Sequence, residues 1–230
     1  MQWRSVTNVM GISWNSLAVA VAVLGALVLG LVAYRYLPGV GRALAPSPLS
    51  LHGTDVSDQD LGGPFSLAEA SGRTISLKEF EGKAVIVTFG YTHCPEACPT
   101  TLARLAKARR LLGSEGRNLQ VLFVSVDYKR DAGEPFGTFV RTFDPSFLAL
   151  RGDDAELRPF ANSFRAQYRV MEIEGEPLVD HTVDSYLIDA SGHVRVRLPY
   201  QLSAADIADD VRIILSAPAY CSPWTSFFRR

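Results

Sequence analysis

The run Tyr91-Thr-His-Cys-Pro-Glu-Ala-Cys-Pro-Thr100 sets two cysteines four positions apart, where an apolar strand pattern gives way to a helical one. Ala84-Val-Ile-Val-Thr-Phe89 is β-branched and aromatic, as a buried strand should be, whereas Leu102, Leu105, Ala108 and Leu112 recur at helical spacing. Cys94 and Cys98 are therefore expected in the first turn of a helix. Pro95 and Pro99 fit that placement, because the first turn leaves amide donors unpaired and a residue without one loses nothing there. The same unpaired amides, with the positive end of the helix dipole, should favour thiolate over thiol. One helical turn would put the two Cα atoms about 6 Å apart, within disulfide reach. The pair can act as a redox couple or as two sulfur ligands on one soft metal. Cysteines can also be buried simply as small hydrophobes, but Pro95, Glu96 and Pro99 make poor core neighbours.

The elements that must position this pair are legible around it. Leu119 to Val126 reads as a second central strand, parallel to the first, and Glu134 to Thr142 as a helix. Asp154 to Tyr168 reads as a further helix, followed by Val170-Met-Glu-Ile173, a turn-rich Glu174-Gly-Glu-Pro177 and the strand Ser185 to Asp189. Ala190-Ser-Gly192 then turns the chain into His193 to Leu198, which predicts an antiparallel hairpin. Ser203 caps a closing helix that carries Ile207, Val211, Ile214 and Leu215 on one face. Strand, helix, strand, helix, hairpin and helix is the order of an α/β thioredoxin-like domain, which keeps its chemistry at the start of the first long helix. Leu61 to Leu67 and Arg73 to Leu77 suggest an added N-terminal β-hairpin.

The 230 residues carry a formal charge of −1, which gives no electrostatic case for nucleic-acid binding. Three cysteines in this length do not make a disulfide scaffold, so the spaced pair needs a local explanation. Leu17 to Ala33 contains only Leu, Ala, Val and Gly, and residues 12–37 are long enough to cross a bilayer core of roughly 30 Å. Residues 12–37 are read as a single transmembrane anchor, flanked by a short segment, 1–11, and a linker, 38–52. Trp3, Trp14, Tyr34 and Tyr36 resemble interfacial aromatic belts. Cleavage after Ala43-Leu44-Ala45 is the competing reading. The apolar run is longer than a signal core of about 7 to 15 residues, and Pro46 would follow the cut. Arg4 on one side and Arg35 and Arg42 on the other leave orientation open. The main domain spans 53–217 and a tail spans 218–230.

The cysteine run, Val124-Ser-Val-Asp127, Arg130-Asp131 and Val179-Asp-His-Thr182 ahead of a Tyr-Leu-Ile-Asp strand together resemble the Sco/SenC copper chaperones of cytochrome c oxidase assembly. The likeness runs from about Gly62 to Leu215 in matching order. It implies a thioredoxin-like domain holding one copper ion, as Cu(I) or Cu(II), on Cys94, Cys98 and His181, for delivery to the CuA site of a respiratory oxidase. It also implies a single-pass inner-membrane protein with its domain in the bacterial periplasm or the mitochondrial intermembrane space. The expected partners are the copper-bearing oxidase subunit and other copper chaperones or thiol reductants. Such a protein binds and transfers rather than turning over as an enzyme. Tyr128 departs from the proline, and Glu96 from the aspartate, more usual in the family. The residue chemistry agrees, since two thiolates and an imidazole suit Cu(I), whereas structural zinc normally takes a fourth protein ligand.

The rival reading is a thiol-disulfide oxidoreductase that uses Cys94 and Cys98 to reduce the oxidase copper-site cysteines or other partners. Three residues between the cysteines favour metal. Peroxide reduction would need a supporting arginine, and Arg104 is the only one soon after the motif. His93 should diverge from its neighbour Cys94. Asp180 and Asp184 are candidates to orient the imidazole of His181, and Asp127 either caps a loop or supports the site. His52 and His193 read as surface residues, and Cys221 as buried or free to pair with another chain. Phe227 to Arg230 read as a frayed end.

Overall fold

The computed structural model describes residues 14–36, 50–173 and 176–217. The chain falls into two units, Met1–Leu49 and Ser50–Arg230. The first contains α1, Trp14–Tyr36, in 23 residues. Its valines and leucines between Val19 and Val32 are exposed. Among the described residues no helix is long and apolar enough to cross a membrane. The fold therefore does not establish the anchor read from residues 12–37. Segment 1–11, most of the linker, Cys221 and the tail from 218 lie outside the described residues.

The second unit is built on an eight-stranded sheet. In chain order its strands are β1 (Thr54–Asp55), β2 (Ser66–Glu69), β3 (Thr74–Ser76), β4 (Ala84–Gly90), β5 (Leu119–Ser125), β6 (Leu148–Arg151), β9 (Ser185–Ile188) and β10 (Val194–Leu198). They lie side by side as β1-β10-β9-β4-β5-β6-β2-β3. A separate hairpin pairs β7 (Tyr168–Ile173) with β8 (Glu176–His181). The helices are α2 (Ala97–Leu111), α3 (Gly133–Arg141), α4 (Asp154–Ser163) and α5 (Ala204–Ser216).

β4 is buried at all 7 of its positions because it runs through the middle of the sheet, parallel to β5 and antiparallel to β9. That environment suits its β-branched run, since strands covered on both faces read as continuous apolar segments. β5 and β6 continue the parallel pairing and β9–β10 form the expected antiparallel hairpin. The added N-terminal hairpin is β2–β3, in which Leu67 pairs with Ile75, and it extends the sheet through β6. α2 packs on α5, each burying the helical-spaced face the sequence marks. Ser203 caps α5, its side chain accepting the Asp206 amide at 3.2 Å.

Several elements differ from the sequence reading, among them the two-residue β1. α4 ends at Ser163 instead of running to Tyr168, because Arg165 takes a left-handed φ of 54°. The amides of Arg165 and Ala166 turn back to the carbonyls of Asn162 and Ala161 at 2.8 and 2.9 Å. This closes the helix in the manner usually left to glycine, and without a glycine the stop is invisible in the sequence. β6 was missed because Leu148-Ala-Leu-Arg151 is too short to carry a period. β8 was hidden by Pro177, a residue tolerated in a strand only where its missing donor faces no partner.

The chain around residues 52–53 is fixed by a contact the sequence does not show. Asp210 is fully buried in α5, and its two carboxylate oxygens accept the amides of His52 at 2.7 Å and Gly53 at 2.8 Å. These charge-assisted bonds tie the end of the linker to the last helix.

Candidate metal site

β4 stops at Gly90, the chain turns through residues 91–96, and α2 opens at Ala97 after the N-cap Glu96. Cys98 is thus inside the first turn, but Cys94 lies in the preceding loop, two residues ahead of the cap, rather than in the helix. The two are joined differently from the expectation: the Cys98 amide, one of the helix's unpaired donors, donates to the Cys94 sulfur at 3.4 Å. Cys98 is buried and Cys94 half-buried. A side chain at Gly90 would put its Cβ 2.8 Å from the Cys98 sulfur and 2.7 Å from the Phe123 ring, so only glycine leaves room for that sulfur against the sheet.

His181 arrives from the other side as the last residue of β8, not from a loop. Its Nε2 lies 3.6 Å from the Cys98 sulfur, and its Nδ1 is 2.8 Å from the carbonyl of its neighbour Thr182. A carbonyl can only accept, so Nδ1 carries the hydrogen and Nε2 keeps its lone pair toward the sulfurs. The Tyr91 ring meets the imidazole edge to face at 5.7 Å, and the Arg130 guanidinium stands 5.9 Å from the Tyr91 ring on a second approach. The donor atoms of Cys94, Cys98 and His181 all lie within 4.8 Å of one another. Among the described residues this is the one cluster of His, Cys, Asp or Glu with metal-site geometry.

The electrostatics correct one expectation. Burial, more than any other influence, pushes the Cys98 thiol well above its ordinary value; Cys94 and Asp131 add to this, against a smaller opposing effect of the Tyr91 backbone. Desolvation therefore outweighs the helix end that was expected to favour thiolate. Burial also holds His181 below the usual histidine range, offset in part by the Thr182 carbonyl and by Asp180. The signs give a pH dependence. Cys98 keeps its proton throughout the neutral range in the metal-free protein and must lose it to ligate. Apparent metal affinity should therefore rise about tenfold per pH unit for each thiol proton released. The His181 imidazole, already neutral, competes with protons only on the acid side. Competition titrations between about pH 6 and 9 check this, and a flat profile would contradict thiolate ligation by Cys98.

The remaining residues sort clearly. Asp184 pairs with Arg197 at 3.2 Å and accepts the Tyr200 amide at 3.2 Å, and Asp180 is exposed, so neither accepts a hydrogen bond from His181. The Thr182 carbonyl takes that role. Asp127 caps its loop: it pairs with Arg130, and its carbonyl accepts the amides of Arg130 and Asp131 at 3.1 and 2.9 Å. His93 has 56% of its side chain exposed and stays outside the three-donor cluster. Arg104 turns away to the Tyr200 carbonyl and ring. His52 is exposed, while His193 is half-buried with its ring 3.1 Å from Ser191 Oγ. Gly90, Ser125 and Thr92 escaped the sequence reading, as did the burial of Asp131, because their roles come from contacts with residues distant in the chain.

Residues 53–216 match the family model described as SCO1/SenC. Among curated relatives, the mitochondrial SCO1 homolog 1 of Arabidopsis thaliana is 36% identical over 130 residues, covering 56% of this chain and 39% of that protein. The human mitochondrial SCO1 homolog is 31% identical over 185 residues, covering 79% and 60%, and SenC of Rhodobacter capsulatus is 33% identical over 139 residues, covering 60% and 62%. The chain thus spans less than two thirds of each of these three relatives. Among solved structures, ScoI of Bradyrhizobium japonicum with copper bound superposes with a TM-score of 0.62 at 31% identity, covering 67% of this chain and 99% of the other. Yeast Sco1 with copper bound gives 0.63 at 30% identity, covering 70% and 91%.

Proposed function

Since this chain belongs to the SCO1/SenC family and has the thioredoxin-like fold of its copper-bound relatives, we propose that it is a membrane-anchored copper metallochaperone. It holds one copper ion as cargo on Cys94, Cys98 and His181 and passes it to the CuA site of a respiratory cytochrome c oxidase during assembly. The observation that carries this reading is the convergence of two sulfurs and one imidazole nitrogen within 4.8 Å, from two segments far apart in the chain. Two soft sulfur donors and a neutral nitrogen suit copper in either oxidation state, and three protein ligands leave a position open for an incoming ligand. Transfer then needs only stepwise ligand exchange.

Thiol-disulfide exchange is the weaker account of the pair. Exchange needs only the two sulfurs and would leave the His181 nitrogen that converges on them without a role. Residues 12–37 supply the anchor, on the strength of their length and composition. The domain then lies in the bacterial periplasm, or in the mitochondrial intermembrane space in a mitochondrial setting.

The test uses the full chain in detergent, loaded with copper and mixed with the metal-free CuA-bearing subunit of an oxidase. The expected result is one copper per chain and its appearance in the CuA spectrum. A chain that binds copper but never yields it would remove the chaperone reading. N-terminal sequencing of membrane-extracted protein checks the anchor, and a mature chain starting at Pro46 would overturn it.

A further inference from the structure

Asp131 is a buried carboxylate that the proposed copper handling does not use. Its side chain has 0% exposure. It accepts the Thr92 amide at 3.1 Å, the Ser125 hydroxyl at 2.7 Å and, in addition, the Thr92 hydroxyl. Every one of these partners donates, which suits an ionised, acceptor-only carboxylate. Among the described residues Asp131 pairs with no Lys or Arg; the nearest cationic candidate is the half-exposed His93, at 4.0 Å.

The connections lead directly to the site. Thr92 stands two residues before Cys94, and Ser125 is the last residue of β5, so one carboxylate bridges the cysteine loop and the sheet. The single hydroxyl hydrogen of Thr92 goes to Asp131, so His93 Nδ1, 3.0 Å from the same oxygen, must be the donor in that contact.

We propose that Asp131 is a positioning residue of the copper site, fastening the Cys94 loop to the end of β5 and supplying a fixed negative charge that favours cupric over cuprous ion. This rests on the copper reading above. Two thiolates and a neutral imidazole leave a cuprous site with one net negative charge and a cupric site with none. A fixed anion nearby opposes the first more than the second.

Two substitutions separate charge from position. In Asp131→Asn the remaining oxygen can keep the Thr92 amide and Ser125. The new amide donates to the Thr92 hydroxyl, whose hydrogen then turns to His93. Position is retained and charge removed. In Thr92→Val the charge stays and the loop loses its hydroxyl tie. Affinities for Cu(I) and Cu(II) are measured on the full chain by competition with chelators, and the His93 tautomer by nitrogen NMR of the metal-free protein. Asp131→Asn should lower the Cu(II)-to-Cu(I) affinity ratio about tenfold and move the His93 hydrogen from Nδ1 to Nε2. Thr92→Val should weaken both oxidation states together, about tenfold, with the ratio unchanged. An unchanged ratio in Asp131→Asn overturns the charge role, and wild-type affinities in Thr92→Val overturn the positioning role. If the unsubstituted chain fails to bind copper, the copper reading itself falls; if it binds and neither variant moves, only this inference does.

Discussion

Cys98→Ser should cost the protein its copper, lowering affinity well beyond the roughly 10- to 100-fold that follows loss of a residue merely supporting a metal ligand. Cys98 sits at the centre of the cluster: its sulfur lies 3.6 Å from His181 Nε2 and its amide holds the Cys94 sulfur at 3.4 Å. Serine retains the amide but replaces a soft donor with a hard one that Cu(I) binds poorly. Cys94→Ser should come next in severity. His181→Ala should be selective, because two thiolates alone can still hold cuprous ion in a near-linear pair, whereas cupric ion needs the nitrogen. Its Cu(II) affinity should therefore fall much further than its Cu(I) affinity. His93→Ala should bind normally, since that ring lies outside the cluster. Chelator competition in both oxidation states, on all four variants, provides the ranking. Full Cu(II) affinity in the His181 variant would remove that residue from the site.

Oxidation of the cysteine pair should be the second large effect, switching copper uptake off entirely. The two sulfurs lie within 4.8 Å of each other, so a modest shift of the Cys94 loop would bring them to bonding distance. Cys94 is outside the helix and can make that shift, while Cys98 is held by α2 and by the fit against Gly90. A disulfide sulfur is a poor copper donor, so linking the pair removes two of three ligands at once. Conversely, bound copper should shield both thiols from alkylation. Mass spectrometry after alkylation of metal-free, copper-loaded and oxidised protein, with copper measured on each, tests both directions. Cys221, distant in sequence, serves as the internal thiol reference. Stoichiometric, high-affinity copper on protein confirmed to carry the 94–98 link would dismantle the ligand assignment.

Pattern alone determined the strands β4 and β5, the helices α2 and α5 and the β9–β10 hairpin, because each carries its own period or turn chemistry within a few residues. The cysteine pair was readable for the same reason, as a local spacing at a strand-to-helix junction. What no local pattern could carry was decided by the tertiary structure. The stop of α4 at a left-handed Arg165, which frees Tyr168 to open β7, and the strand β8 that delivers His181 are choices of packing, not propensity. The helix dipole suggested a thiolate at Cys98, but the dipole is a fixed feature of sequence order while desolvation depends on what folds over the sulfur, and burial prevails. The same holds for what orients the site. Asp180 and Asp184 flank His181 in sequence, yet a backbone carbonyl holds its ring. Asp131, 37 residues from Cys94, ties down the cysteine loop, because hydrogen bonds are set by distance in space rather than along the chain.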